Sequence, residues 1–171
     1  MRCSRFIFLF YFLLEFFSFE LHAQNIVSNP GFEIFTTCPT AFGQINRASP
    51  WYSPTTGGST DLFHSCSANI PVPITHPLIV YQQERNGTNG IMGLQVHSGS
   101  ANYREYAQAP LNCSLDSGVT YYVEMYVNKS NTAKYAIDQI GIFFSVNPLT
   151  ATGSSPLLVT PQIAVSYTHL T

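Results

Sequence analysis

From Gln24 onward the chain shows no apolar stripe with the 3.6-residue period of an amphipathic helix. Short runs rich in Val, Ile, Tyr, Phe and Thr alternate instead with breaks containing Gly and Pro. That punctuation is the signature of an all-β protein built of short strands. Strands are predicted over residues 24–27, 31–35, 78–82, 90–96, 102–108, 120–128, 137–146 and 157–160. Two carry strict alternation. In residues 121–128, Tyr121, Val123, Met125 and Val127 fall on one side, and Tyr122, Glu124, Tyr126 and Asn128 on the other. The period of two assigns the first set to a core and the second to an outer face. In residues 137–146, Ile140, Ile142, Phe144 and Val146 share a core face, and Gln139, Gly141, Phe143 and Ser145 share an outer one. Antiparallel sheets with one wet face read this way. Leu115-Asp116-Ser117-Gly118 is a turn leading into the first of these strands. Residues 36–77 differ: they are rich in Pro, Gly, Ser and Thr and hold no strong strand. A loop of that length in a compact domain calls for a function or a staple.

Before this β-rich part, residues 1–23 have the layout of a secretory signal. Arg2 and Arg5 precede a nearly unbroken apolar stretch over residues 6–19, which ends at Leu21-His22-Ala23. The stretch is short for a membrane span and is followed by a small residue, so cleavage after Ala23 and export are expected, with no transmembrane segment in the mature chain. The signal holds two acids (Glu15 and Glu20) against its two arginines, so the formal charge of -2 survives its removal. Charged residues make up only 9% of the chain, which excludes the basic footprint of a nucleic-acid binder. Aromatic residues at 14% exclude the composition of a disordered chain.

Export places the cysteines in an oxidising compartment. Cys38 and Cys66 both sit in loop-like contexts, Thr-Thr-Cys-Pro and His-Ser-Cys-Ser, and are paired here as a disulfide that staples the long loop around Trp51. Cys113 is left over, either buried or bonded to a partner beyond the given sequence. No CxxC spacing supports zinc at His64 and Cys66.

Asn29-Pro30-Gly31-Phe32-Glu33, just after an Ala-Gln cleavage region, resembles the start of exported Bacteroidota proteins. The similarity runs on through Cys38-Pro39, Pro50-Trp51-Tyr52-Ser53-Pro54, Asp61-Leu62-Phe63-His64-Ser65-Cys66, Tyr103-Arg104-Glu105-Tyr106, residues 121–127 and residues 135–141. As an ordered set these motifs resemble galactose-binding-like jelly-roll sandwiches, which include many carbohydrate-binding modules. The resemblance implies an antiparallel β-sandwich module placed ahead of an OmpA-like peptidoglycan-binding domain or a type IX secretion sorting segment. Such modules continue into a further Trp-containing region. Residues 165–171 read instead as adapter-derived sequence, so residues 24–164 are expected to be a module incomplete at its C-terminus, followed by a non-native tail.

Catalytic signatures are not found: there is no GxSxG, HExxH or P-loop motif. Glu105 and Glu124, on adjacent predicted strands, could be imagined as a glycosidase-like carboxylate pair, and the favoured expectation is that both are outer-face residues satisfying Arg104 or solvent. His97-Ser98 and His64-Ser65 lack a positioned acid. In the resembling sandwiches an acid of the first strand can help hold a structural calcium, which would give that role to Glu33 with Asp138 as a conceivable second ligand; the alternative, and the favoured one, is a plain surface glutamate. No other cofactor is expected. The sequons at Asn86, Asn112 and Asn128 are chance matches if the bacterial resemblance holds.

The best candidate for binding is the aromatic outer face. Tyr122 and Tyr126 on one side of a strand, with Phe143 next to them and Arg104, Glu124 and Gln139 around them, would form a platform for sugar rings. Aromatic rings pack on the C–H faces of sugars while fixed polar groups take the hydroxyls. The competing expectation is that another layer covers these tyrosines. A non-catalytic exported recognition or adhesion module of the cell envelope, with a polysaccharide or other glycan as partner, is the leading expectation. The alternatives are a carbohydrate-binding module serving a secreted glycoside hydrolase, and a structural spacer of an OmpA-like outer-membrane protein.

Overall fold

A computed structural model describes residues 24–67, 89–97, 99, 102–130, 133–135, 137 and 139–166. The signal segment, the predicted strand at 78–82, Asp138, Asn86 and residues 167–171 lie outside the described residues. Among the described residues the only helical element is a 3₁₀ turn, Ile45–Arg47. The regular structure is all-β: β1 (Asp61–His64), β2 (Gly90–Gly93), β3 (Gln139–Ile142) and β4 (Ile163–Ser166). They form two antiparallel two-stranded sheets, β1 with β2 and β3 with β4.

β1 lies inside the segment expected to hold no strand. Leu62, Phe63 and His64 are buried in succession, so the strand shows no alternation that a period-two search would find. Its register pairs Leu62 with Met92 and His64 with Gly90. Leu62 packs with Ile45 and Ala48 into the buried core, against which Phe32, Trp51 and Met92 are laid. Trp51 thus takes the local-core position expected of it. Phe63, on the other side of β1, meets the edge of Phe42 at 6.1 Å. The Cys38–Cys66 disulfide is formed, with Cα atoms 5.8 Å apart and a sequence separation of 28. Closing a loop of that length removes about 3 to 4 kcal/mol of unfolded-chain entropy.

The turn at Asn29-Pro30-Gly31-Phe32 takes the place of the strand predicted at 31–35. Asn29 and Phe32 both adopt positive φ, 47° and 59°. Asn tolerates this conformation and Phe does so at a cost, which the Phe32 ring offsets by packing on Trp51 at 5.2 Å. The Asn29 side chain donates to the carbonyls of Ile34 (2.7 Å) and Ser49 (3.0 Å) and accepts from the Ile34 amide (3.0 Å). Its own carbonyl accepts the Trp51 indole N–H at 2.9 Å. Gly90 completes the fit, because a Cβ there would stand 2.8 Å from the Phe32 carbonyl oxygen.

Elsewhere the predicted strands at 24–27 and 102–108 do not form strands, and single bridges tie these segments to others. Val27 bridges Leu111 and Tyr52 bridges Gln108, while Thr55 bridges Ala151 in parallel. Gln108 ties a third segment in, its side-chain amide exchanging hydrogen bonds with Leu149 (2.8 and 3.2 Å). β3 falls inside its predicted range, and the alternation holds: Ile140 and Ile142 are half-buried while Gln139 and Gly141 are exposed. Val146 does not join that core face, because the strand has ended and its side chain is fully exposed. The pairing partner is not the predicted 157–160 strand but the next segment, with Ile140 opposite Val165 and Ile142 opposite Ile163.

Asn29→Ala removes three side-chain hydrogen bonds and places a Cβ-bearing residue of lower tolerance at positive φ. At about 0.5–1.5 kcal/mol per bond, the expected loss is roughly 2–4 kcal/mol. Urea unfolding checks it: the midpoint should fall while the slope stays unchanged.

Candidate functional site

The β1–β2 ladder is only four pairs long, and its two ends are each held by a carboxylate. Glu33 accepts from the backbone N–H of Asn89 and of Gly90 (3.1 Å), and from the Asn89 side chain at 3.3 Å. This fixes the start of β2, where it lies opposite His64. A carboxylate ringed by N–H donors has the surroundings of an anion site, whereas calcium asks for oxygen ligands. Glu33 thus has a structural role at the start of β2, and Asp138, named with it as a calcium ligand, lies outside the described residues. Among the described residues no cluster of three or more His, Cys, Asp or Glu could hold a metal ion.

Glu105 holds the other end. It is 4% exposed, which corrects its expected place on an outer face. Its Oε1 accepts from the Ser59 amide (2.9 Å), the Ser59 hydroxyl (3.1 Å) and the Tyr103 hydroxyl (2.8 Å). Its Oε2 accepts from the Gln95 amide at 2.6 Å. Ser59 precedes β1 and Gln95 follows β2, so one buried carboxylate joins both strands. Burying a charge is costly unless such donors replace water. The Tyr103 hydroxyl is held above its ordinary value mainly because it donates to Glu105. All four of these donors act on one carboxylate, so Glu105 serves as a structural hub between the two strands.

Asp61, the first residue of β1, accepts the Gly43 amide at 2.6 Å. Desolvation, with a smaller contribution from the charge of Glu105, pushes its carboxyl up to about 6. Arg104 answers neither acid. Its guanidinium donates to the carbonyls of Val96 (2.9 Å) and Tyr103 (2.7 Å).

The tyrosine segment lies at the second sheet. Residues 120–128 belong to no named strand. Their predicted alternation persists in exposure: Tyr121, Val123, Met125 and Val127 lie between 37% and 44%, against 86% for Tyr122 and 58% for Tyr126. Both tyrosines are thus open to solvent rather than covered. The Tyr122 hydroxyl donates to Glu124 at 3.1 Å. Tyr122, Val123, Glu124 and Met125 face Ile140, Ile142, Ile163 and Val165 across an open groove of about 260 Å³. The side of β3 turned to this groove is therefore that of Ile140 and Ile142. Gln139 is on the opposite side by strand alternation, and the half-buried Phe143 follows the end of the strand, so neither joins the tyrosines as expected. Same-face residues repeat every 7 Å or so along a strand, so the alternation of residues 121–128 sets Tyr122 and Tyr126 two such steps, about 13 Å, apart.

Cys113 is exposed and is the free thiol among the described cysteines. Among the described residues no helix is long and apolar enough to cross a membrane. Comparison with protein-family models, with curated proteins and with solved structures returns no match.

Asp61 sets a pH dependence whose sign is opposite to that of a paired carboxylate. Its folded value of about 6 lies above the unfolded 3.8, so the fold binds the proton more tightly and gains stability as pH falls from about 6 towards 4. Full conversion of the shift would be roughly 3 kcal/mol, and water screening at a half-buried site cuts this to about 1–1.5 kcal/mol. Asp61→Asn keeps an acceptor for Gly43 and removes the charge. Its melting temperature should exceed that of the wild type at pH 7.5, with the difference vanishing near pH 4.

Proposed function

We propose that this chain is an exported, non-catalytic recognition module of the bacterial cell envelope that binds glycan. Its architecture under this reading is a galactose-binding-like β-sandwich, of which the two antiparallel sheets and their bridged segments are the described parts. The observation that carries the reading is the exposure of Tyr122 and Tyr126 beside Glu124. Two open rings about 13 Å apart suit successive units of a polysaccharide better than a single sugar. The apolar faces of the rings take sugar C–H groups, and Glu124 accepts hydroxyls. The low charge of the chain favours an uncharged ligand of this kind over an electrostatic one. The Cys38–Cys66 disulfide is in keeping with an oxidising compartment.

Each ring contributes about 0.5–1.5 kcal/mol in stacking contacts of this type. Tyr122→Ala and Tyr126→Ala should each weaken binding to an envelope or plant-type polysaccharide by roughly threefold to tenfold in affinity electrophoresis. Melting temperatures should stay within about 2 °C of wild type, because the rings are solvent-exposed. Failure of the wild type to bind any polysaccharide or peptidoglycan fraction would overturn the reading. So would a large loss of stability in either variant, since that would make the rings part of a core.

A further inference from the structure

His64 ends β1, is 4% exposed, and does nothing in the reading above. Its Nδ1 accepts the backbone N–H of Cys66 at 3.1 Å. The neutral ring must therefore carry its proton on Nε2, and that atom is buried without a hydrogen-bond partner. The ring also packs on Phe35 with centroids 4.5 Å apart. A buried donor left unmatched costs free energy, so the ring is kept in place by its one good bond and its packing. Protonation changes that bond outright: an imidazolium carries hydrogen on Nδ1 as well and cannot accept from Cys66.

The charged groups around the ring do not rescue the cation. Glu33, from the turn segment, is the acid that favours protonation, but burial outweighs it and holds His64 below its ordinary value. Its carboxylate is already occupied by Asn89 and Gly90. β2, opposite His64, is Gly-Ile-Met-Gly and offers no titratable side chain. Arg47 of the 3₁₀ turn is spent on the Cys38 carbonyl. Asp61 stands at the far end of β1.

We propose that His64 is an acid-sensitive latch that fastens the Cys66 arm of the disulfide loop to the end of β1 and releases it on protonation. The bridge itself stays intact, and what opens is the backbone around Cys66, together with the Phe35 contact. An exported protein meets such pH changes in its surroundings, so the latch couples local acidity to the packing of the loop that surrounds the core.

The test is hydrogen exchange at the Cys66 amide between pH 7.5 and 5, expressed as protection relative to the intrinsic rate, with the His64 ring followed by NMR. Protection should fall about tenfold per pH unit below 6.5, until the closed form itself takes up the proton. His64→Asn places a non-titrating oxygen where Nδ1 stands, and its Cys66 protection should be flat over the same range. Because Asp61 is present in both proteins, its opposite pH effect cancels in the comparison. Constant Cys66 protection while His64 titrates in the wild type would overturn the proposal, and that reading stands even if the variant does not fold. An equal fall in His64→Asn would overturn it as well.

Discussion

A two-stranded ladder of four pairs cannot hold itself together in water, and in this protein the solution is to clamp both of its ends with carboxylates. Glu33 gathers the N–H groups where β2 begins, and Glu105 gathers those just before β1 and just after β2. Between the clamps, Leu62 and Met92 present the apolar side that Ile45, Ala48, Phe32 and Trp51 cover. The buried charge of Glu105 is the strictest of these constraints. It is tolerable only while Ser59, Tyr103 and Gln95 all donate, so three separate stretches of chain must arrive together. That requirement places Gly58 as well, since a Cβ there would press to 3.2 Å from the Glu105 side chain.

The same constraint explains what could and could not be read from the residues. The Cys38–Cys66 pair was legible because both cysteines sit in loop contexts, and the alternation at 121–127 was legible because a period of two survives in exposure even without a ladder partner. β3 was legible for the same reason. β1 was not, since Leu62, Phe63 and His64 are buried consecutively and the Gly, Ser and Thr residues around them read as loop. Glu105 was misplaced on a surface because its donors come from as far as 46 residues away, and no local pattern announces that a charge will be satisfied at that range. Arg104, its neighbour in sequence, looked like its partner and is instead turned to backbone carbonyls.

The tyrosine site shows the opposite balance. Its residue types were legible, but its composition was not: Ile140 and Ile142 face the groove in place of Phe143 and Gln139. Alternation fixes which residues share a side of a strand, while only the packing of one segment on another decides which side is met. One step of register therefore exchanges a polar surround for an apolar one. The groove that results is lined by the aliphatic side chains of Ile140, Ile142, Ile163 and Val165 together with Tyr122 and Glu124.

Polar satisfaction and apolar exposure are thus divided along the chain. Among the described residues, the stretches 29–67, 89–97 and 102–108 hold a dense polar network, where Asn29, Glu33, Thr60 and Glu105 each bond to groups distant in sequence. Among the described residues, 119–127 carry the largest run of exposed apolar and aromatic side chains. A surface of this kind costs solubility unless it is used, and a network of that density limits movement where it lies. The clamps hold the β1–β2 ladder without drawing on the tyrosines, so the polar network of the first part and the exposed aromatic rings of the second are built independently of one another.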